Sequence, residues 1–296
     1  MQIRLKKGID RGIIIVDLLL QTKCSKMIIE FSVKNFRSIK DLQTLSFVAT
    51  GLKSAEKHQN VDLNNIAHDE GMSLFKTLGI YGANASGKSN VIKAFDNFIK
   101  VITAEPSDQS ALGLLTEPFL FQGDPVDTES YFQLVFIIGT VKYRYGMTVK
   151  SNLSADKNTK DSAEVVTNEW LYATKVKNMT PLFERVGLEL IKNNLDNKSA
   201  IPETIPYKHT LFLTFAAAFD REGDCSGIAR YFRGMTTSNF NTDHEKFRWM
   251  SIRHIHEPFN SLDKTKFLNL LSAFNLKYDD IILHKDIETH DGSKVF

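Results

Sequence analysis

Only two cysteines, Cys24 and Cys225, occur in the 296 residues, and they stand far apart. They form no metal-binding or redox spacing, so a reducing cytoplasm is the expected compartment. Bulk charge is also missing. The formal net charge is +2, which argues neither for nor against nucleic acid and leaves any DNA contact to a local patch. There are no repeats, low-complexity tracts or Pro-rich linkers, and the 42% hydrophobic and 24% charged residues are those of an ordinary globular chain. No apolar run is long enough to span a bilayer. Gly12 to Leu20 is nine residues long, is broken by Asp17 and is followed by no small-residue cleavage site, so neither a membrane segment nor a signal peptide is expected. Met27 opens a cleaner strand pattern in "MIIEFSVKNF", and residues 1–26 read as an upstream extension.

Several chemical signatures are absent as well. "NKSA" at Asn197 lacks the Asp of a guanine-reading N-K-x-D, which favours adenine. "HIHE", His254 to Glu257, has two imidazoles at strand spacing but no third ligand, and an ordinary polar strand end is the favoured reading. A small-molecule kinase would need an acceptor pocket and basic lid residues, and neither can be located.

What is present is concentrated in "GIYGANASGKSNVIKAF", residues 79–95. Gly82, Ala83, Asn84, Ala85, Ser86, Gly87, Lys88 and Ser89 fit G-x-x-x-x-G-K-[ST], the phosphate-binding loop. Glycines let the backbone curl until several N–H groups converge on a phosphate, and the helix that follows adds its positive end. Leu78, Ile80 and Tyr81 read as the end of a buried strand. Val91, Ile92, Phe95, Phe98, Ile99 and Ile102 recur at helical spacing. Lys88, the candidate catalytic residue, is placed to meet the β- and γ-phosphates, and Ser89 to hold Mg²⁺ through its hydroxyl. The amides from Asn84 to Lys88 cradle the phosphates. Asn90 stands between two readings, helix packing and ligand contact.

Along the chain, residues 27–34 and 42–49 read as strands and residues 50–73 as loop. The loop's helix covers 88–103, and "AEPSDQSALG" is a connector. The clearest hairpin places Phe132, Leu134, Phe136 and Ile138 on one face, turns at Gly139-Thr140, and returns through Tyr143, Tyr145 and Met147. "SNLSADKNTKDSA" is a solvated loop and "EVVTNEWLYAT" a strand. From residue 209 the pattern turns helical in "HTLFLTFAAAF", "GIARYFRGM" and "DKTKFLNLLSAFNL", the last with Phe267, Leu268, Leu270, Leu271 and Phe274 on an apolar face.

A phosphate loop needs a partner carboxylate at the end of an apolar strand. The apolar run ending in Asp is Ile13 to Asp17, with no evident arrangement bringing it to Ser89. "YDDII", from Tyr278, has its carboxylates before the apolar residues. The residues therefore supply a nucleotide cradle without visible hydrolysis machinery.

Together, "IIEFSVKNFRSIKDLQTLSF" and "GANASGKSNVIKAF" resemble the N-terminal half of ABC-like ATPases of the SMC and RecF kind. They are most similar to the AAA-annotated, OLD-like and abortive-infection ATPases of bacterial phage defence. "EPFLF", "YFQLVFIIGTVKYRYGMTV", "NEWLYA" and "LFERVG" look like that group's later strands, and "TLFLTFAAAF" like its helical segment. The resemblance implies an α/β P-loop ATPase head with N-terminal antiparallel strands, a mixed sheet and a helical segment. It spans 27–296, divided into a nucleotide-binding core (27–103), a β-rich segment (116–187) and a mainly helical segment (207–296). It implies ATP and Mg²⁺ as cofactors, Arg37 of the Asn35–Ser38 stretch near the nucleotide or else on the surface, and Gln122 as the candidate metal-linked glutamine. It also implies a C-terminal signature, a Walker B Asp-Glu pair and a switch histidine. None is found, so the chain reads as an incomplete head. The implied function is ATP hydrolysis driving a conformational switch in a homodimer of heads, with a nuclease or DNA as partners left open. A non-catalytic nucleotide-binding or interaction module is the rival.

Overall fold

The computed structural model describes residues 15–17, 26–51, 55, 62, 64–69, 72–121, 128–151, 164–175, 177–235, 265, 268–269, 271–272, 287–288 and 294–295. The chain divides into two compact units, Met1–Thr236 and Thr237–Phe296.

The first unit is built on a seven-stranded sheet. Its strands are β2 (Lys26–Lys34), β3 (Gln43–Ser46), β7 (Ser130–Ile138), β8 (Val141–Ser151), β9 (Glu164–Thr174), β10 (Thr180–Val186) and β11 (Glu189–Asn193), in the spatial order β11-β10-β9-β8-β7-β2-β3. Four of the expected elements, β2, the β7–β8 hairpin and β9, fall where period-2 alternation puts them. Every ladder is antiparallel. The parallel component expected of a mixed sheet has no counterpart among the described residues, because both places beside β2 are taken by antiparallel neighbours.

One face of the sheet carries the core. Phe31, Val33, Phe132, Leu134, Phe136, Tyr145, Met147, Leu171 and Phe183 point into it. A register slip between Ile28 and Glu30 lets both Ile28 and Phe31 face this core while Ile29 is buried on the other side. Three helices cover the face: α1 (Lys88–Thr103), α3 (Phe212–Ala217) and α4 (Asp224–Arg233); the four-residue α2 (Gln109–Leu112) lies between α1 and β7 in the chain. Phe98 of α1 is fully buried at their meeting point, with ring centroids 5.7 Å from Phe31, 6.0 Å from Tyr145 and 6.3 Å from both Phe132 and Phe232. Aromatic rings bury large apolar areas and interlock at these separations, so Phe98 fixes α1 against the sheet.

On the opposite face, Ile29, Val135 and Ile137 pack with Leu74. Leu74 belongs to a hairpin of β4 (Ile66–Asp69) and β5 (Met72–Phe75). This corrects the reading of 50–73 as loop: its polar run hid β4 and the half-buried Met72, and Leu74, just past it, is buried under the sheet and holds the hairpin there. "EPFLF" is also corrected. Residues 116–119 form no strand, and Leu120 and Phe121 are exposed.

The strand entering the phosphate loop is β6 (Thr77–Gly79). It lies outside the large sheet and pairs antiparallel with β1 (Ile15–Asp17). Ile80 lies beyond its end, Leu78 is half-buried and Tyr81 is 75% exposed, so the expected buried strand end is not formed. Within the stretch read as an upstream extension, Ile15–Asp17 is thus paired to the loop's own strand. Asp17 faces Thr77 and Ile15 faces Gly79, which puts the carboxylate-bearing residue at the end of β6 away from the loop.

In the second unit, β12 (Ile287–Glu288) pairs with β13 (Lys294–Val295). Leu268 and Leu271 are helical, as the apolar spacing predicts. Phe267, Leu270, Phe274, the His254–Glu257 stretch and Gln122 lie outside the described residues.

Candidate functional site

Helix α1 begins at Lys88 with Gly87 as its N-cap and no capping side chain. Gly87 sits at φ 89° and Ala85 at φ 61°, the left-handed backbone that folds the loop back over the helix start. A Cβ on Gly82 would lie 2.9 Å from Ser86 Oγ, so Gly82 and Ser86 stand side by side across the loop. Asn90 and Val91 N–H both donate to Gly87 O, at 2.9 and 3.2 Å. The N–H groups of Lys88 and Ser89 precede these and have no intrahelical acceptor. With them the helix turns its positive end toward the loop.

Lys88 Nζ donates to Gly82 O at 2.9 Å and Ala83 O at 2.6 Å, with Ser86 Oγ 3.4 Å away. The ammonium is thereby held over the loop by weak neutral acceptors that an anion can replace. Ser89 is exposed beside it. Gly82 to Ser89 thus form one largely exposed turn running into the start of α1. Among the described residues no group of three or more His, Cys, Asp or Glu is placed to hold a metal ion.

Asn90, one residue past the motif, is bonded to the Arg37–Ser38 stretch. Its Nδ2 donates to Ser38 Oγ at 2.6 Å, and its Oδ1 accepts from Arg37 Nη1 at 3.3 Å. Both bonds tie the first turn of α1 to the Arg37–Ser38 stretch. Arg37 is thus placed against the first turn of α1, and a Cβ on Gly87 would meet Ser38 Oγ at 3.4 Å. Sequence reasoning found Arg37 but missed what fixes it. Asn35, buried and at φ 53°, accepts from Phe119 N through Oδ1 and donates through Nδ2 to Thr128 Oγ1 and Glu129 O; its own carbonyl accepts from Ser130 Oγ. Asn tolerates the left-handed region better than most residues, and that is the signal "KNFRS" carried. Glu117 was missed as well: its Oε2 accepts from Arg37 Nε at 2.7 Å.

A second polar cluster lies inside the core. Glu169 of β9 and Arg185 of β10 face each other across the ladder, and both side chains are 0% exposed. Glu169 accepts from Tyr145 Oη, Phe212 N and Leu213 N at 2.9, 2.6 and 2.9 Å, with Arg185 Nε 3.3 Å away. Arg185 Nη1 donates to Thr210 O. Helix α3 has no local capping side chain; a strand carboxylate satisfies its first N–H groups instead. Burial, followed by the Glu169 charge, pushes the Tyr145 phenol well above its usual range. Burial likewise raises the Cys225 thiol, leaving it inert. These groups build the fold by joining the sheet to the start of α3.

A strand running into a glycine-lined turn at a helix N-terminus, with a lysine folded over it, defines a P-loop nucleotide-binding domain. A family model described as "AAA domain, putative AbiEii toxin, Type IV TA system" matches residues 78–285, and the chain belongs to that family. The match begins just ahead of the loop, and the mixed α/β architecture with its large antiparallel sheet agrees with it. Membership gives the chain a P-loop ATPase role in general terms, and such ATPases generally bind ATP with Mg²⁺. No curated protein matches the chain. No helix among the described residues is long and apolar enough to cross a membrane.

Proposed function

We propose that the chain binds Mg-ATP through residues 82–89 and acts as an ATPase head whose nucleotide state is a conformational switch. The observation that carries this reading is Lys88 poised over a left-handed loop at the start of α1. In it, the N–H groups of Asn84 to Lys88 hold phosphate oxygens, Lys88 exchanges Gly82 O and Ala83 O for the β- and γ-phosphates, and the Ser89 hydroxyl ligates the ion. Mg²⁺, when bound, neutralises charge on those phosphate oxygens. Asn90 keeps its bonds to Ser38 and Arg37, which leaves the Arg37 guanidinium beside the phosphates. Two such heads closing over ATP, coupled to a nuclease or to DNA in a defence response, is the switch we favour. The toxin and toxin–antitoxin words in the family's description support its defence setting.

Lys88→Ala removes charge-assisted hydrogen bonds worth about 1.5–3 kcal/mol each. Affinity for a fluorescent ATP analogue with Mg²⁺ is expected to fall by at least about tenfold, with the thermal midpoint unchanged. Equal affinity in wild type and variant would refute the site.

A further inference from the structure

We propose that Glu117 is the positioning residue for Arg37, holding the guanidinium against the first turn of α1, next to the phosphate loop. The inference rests on the reading of that loop as a phosphate site and adds a residue that neither the motif nor the family match assigns.

Arg37 is held by Glu117 twice. Its backbone N–H donates to Glu117 O at 2.7 Å, and its Nε donates to Glu117 Oε2 at 2.7 Å. The backbone bond, with φ at 53°, sets where the side chain leaves the chain, and the ion pair sets where it points. The choice of nitrogen is informative. A carboxylate can grip a guanidinium at its outer edge, through Nη1 and Nη2, or at the Nε side. Glu117 takes Nε and Asn90 Oδ1 accepts from Nη1 at 3.3 Å, so Nη2 is left for a further acceptor. Asn90 Nδ2 donates to Ser38 Oγ at 2.6 Å, tying the Arg37 turn to the first turn of α1, directly after the loop.

Glu117 is itself anchored. Phe119 N–H, two residues on, donates to the buried Asn35 at 2.9 Å, so the segment carrying Glu117 is bonded to the same turn at two points. The pair adds little to the fold: the two side chains are 36% and 42% exposed, and ion pairs this exposed contribute little to stability. Its use is orientation.

The test is Mg²⁺-dependent binding of a fluorescent ATP analogue to the full chain and to Glu117→Ala, Glu117→Gln, Arg37→Ala and the Glu117→Ala/Arg37→Ala pair, with thermal midpoints alongside. Arg37→Ala and Glu117→Ala are each expected to weaken binding about 3- to 10-fold, the scale of one charge-assisted contact, with midpoints unchanged. The double variant is expected to bind no worse than Arg37→Ala, because Glu117 acts through the arginine. Glu117→Gln, whose amide oxygen still accepts from Nε, is expected to stay within about twofold of wild type. Should Glu117→Ala fail to fold, Glu117→Asp replaces it, too short to reach Nε while keeping the backbone bond. Wild-type affinity in Glu117→Ala alongside weak binding in Arg37→Ala overturns the inference, as do losses that multiply in the double variant. If both bind normally and Lys88→Ala does not, the inference falls and the phosphate site stands. If Lys88→Ala also binds normally, both fall.

Discussion

Replacing Glu169 with Gln tests how the sheet is joined to its helices. The carboxylate is fully buried, accepts from Tyr145 Oη and the two N–H groups opening α3, and pairs in charge with Arg185, whose Nε is 3.3 Å away. A glutamine keeps one acceptor oxygen, turns an NH₂ toward donors, and leaves the buried Arg185 without its counter-charge. Breaking a buried pair from one side costs about 3–5 kcal/mol, a large part of the roughly 5–15 kcal/mol that holds a domain folded. Urea unfolding followed by tryptophan fluorescence, with Trp170 adjoining Glu169 on β9, is expected to show a lower midpoint at unchanged slope. Adding Arg185→Met to Glu169→Gln is expected to recover part of the loss, because the stranded charge goes with it. A loss below about 1 kcal/mol, the range of an exposed pair, would refute the reasoning, as would a double variant no more stable than Glu169→Gln alone.

A Cβ on Gly146 would lie 2.5 Å from Trp170 Cζ2 and 2.8 Å from Phe132 O. Gly146→Ala is therefore expected to cost about 1–3 kcal/mol and to weaken the near-UV dichroism of the Trp170–Tyr131 stack. Burial holds the His209 imidazole below its ordinary value of 6.5, against the opposing pull of Asp108. The folded chain then favours neutral His209, so its contribution is whole above about pH 6.5 and is lost as pH falls through the lowered folded value; His209→Gln is expected to flatten stability against pH in that acid window, and an unchanged curve would refute the assignment. Removing residues 1–25 strips β1 from β6, and hydrogen exchange at Thr77–Gly79 is expected to quicken; unchanged protection would return that stretch to the status of a dispensable extension.

Alternation made β7, β8 and β9 legible, because one face of each is buried in an uninterrupted core and the period of two is kept over many residues. Helix α1 was legible from its apolar spacing, and the loop from glycines whose positions are set by backbone geometry. The β4–β5 hairpin was not legible, since only Met72 and Leu74 carry its burial amid His68, Asp69 and Glu70. Glu169 and Arg185 were misleading in another way. Nothing local in "NEWLYAT" or "LFERV" marks them as buried, yet they share the inner face with Leu171 and Phe183, because each faces the other across the β9–β10 ladder. At the site, motif spacing yielded Lys88 and Ser89. Asn35 and Glu117 depend on a contact between residues some 80 apart in the chain, which no local pattern records.

The pairing of β2 with β7 bears on how the chain is made. Lys34 lies opposite Tyr131 and Lys26 opposite Ile138, so the strand that emerges early waits for a partner about a hundred residues behind it. At synthesis rates of about 5–20 residues per second, that wait is ~5–20 s. The phosphate loop and α1 come out within it, ahead of the strands that supply most of the surface Phe98 packs on. Until β7 arrives, β2 has only the short β3 at its side, and its unpaired edge is open to other chains. The nucleotide cradle is thus written early and finished late, and the interval between is when a nascent chain is most in need of a chaperone.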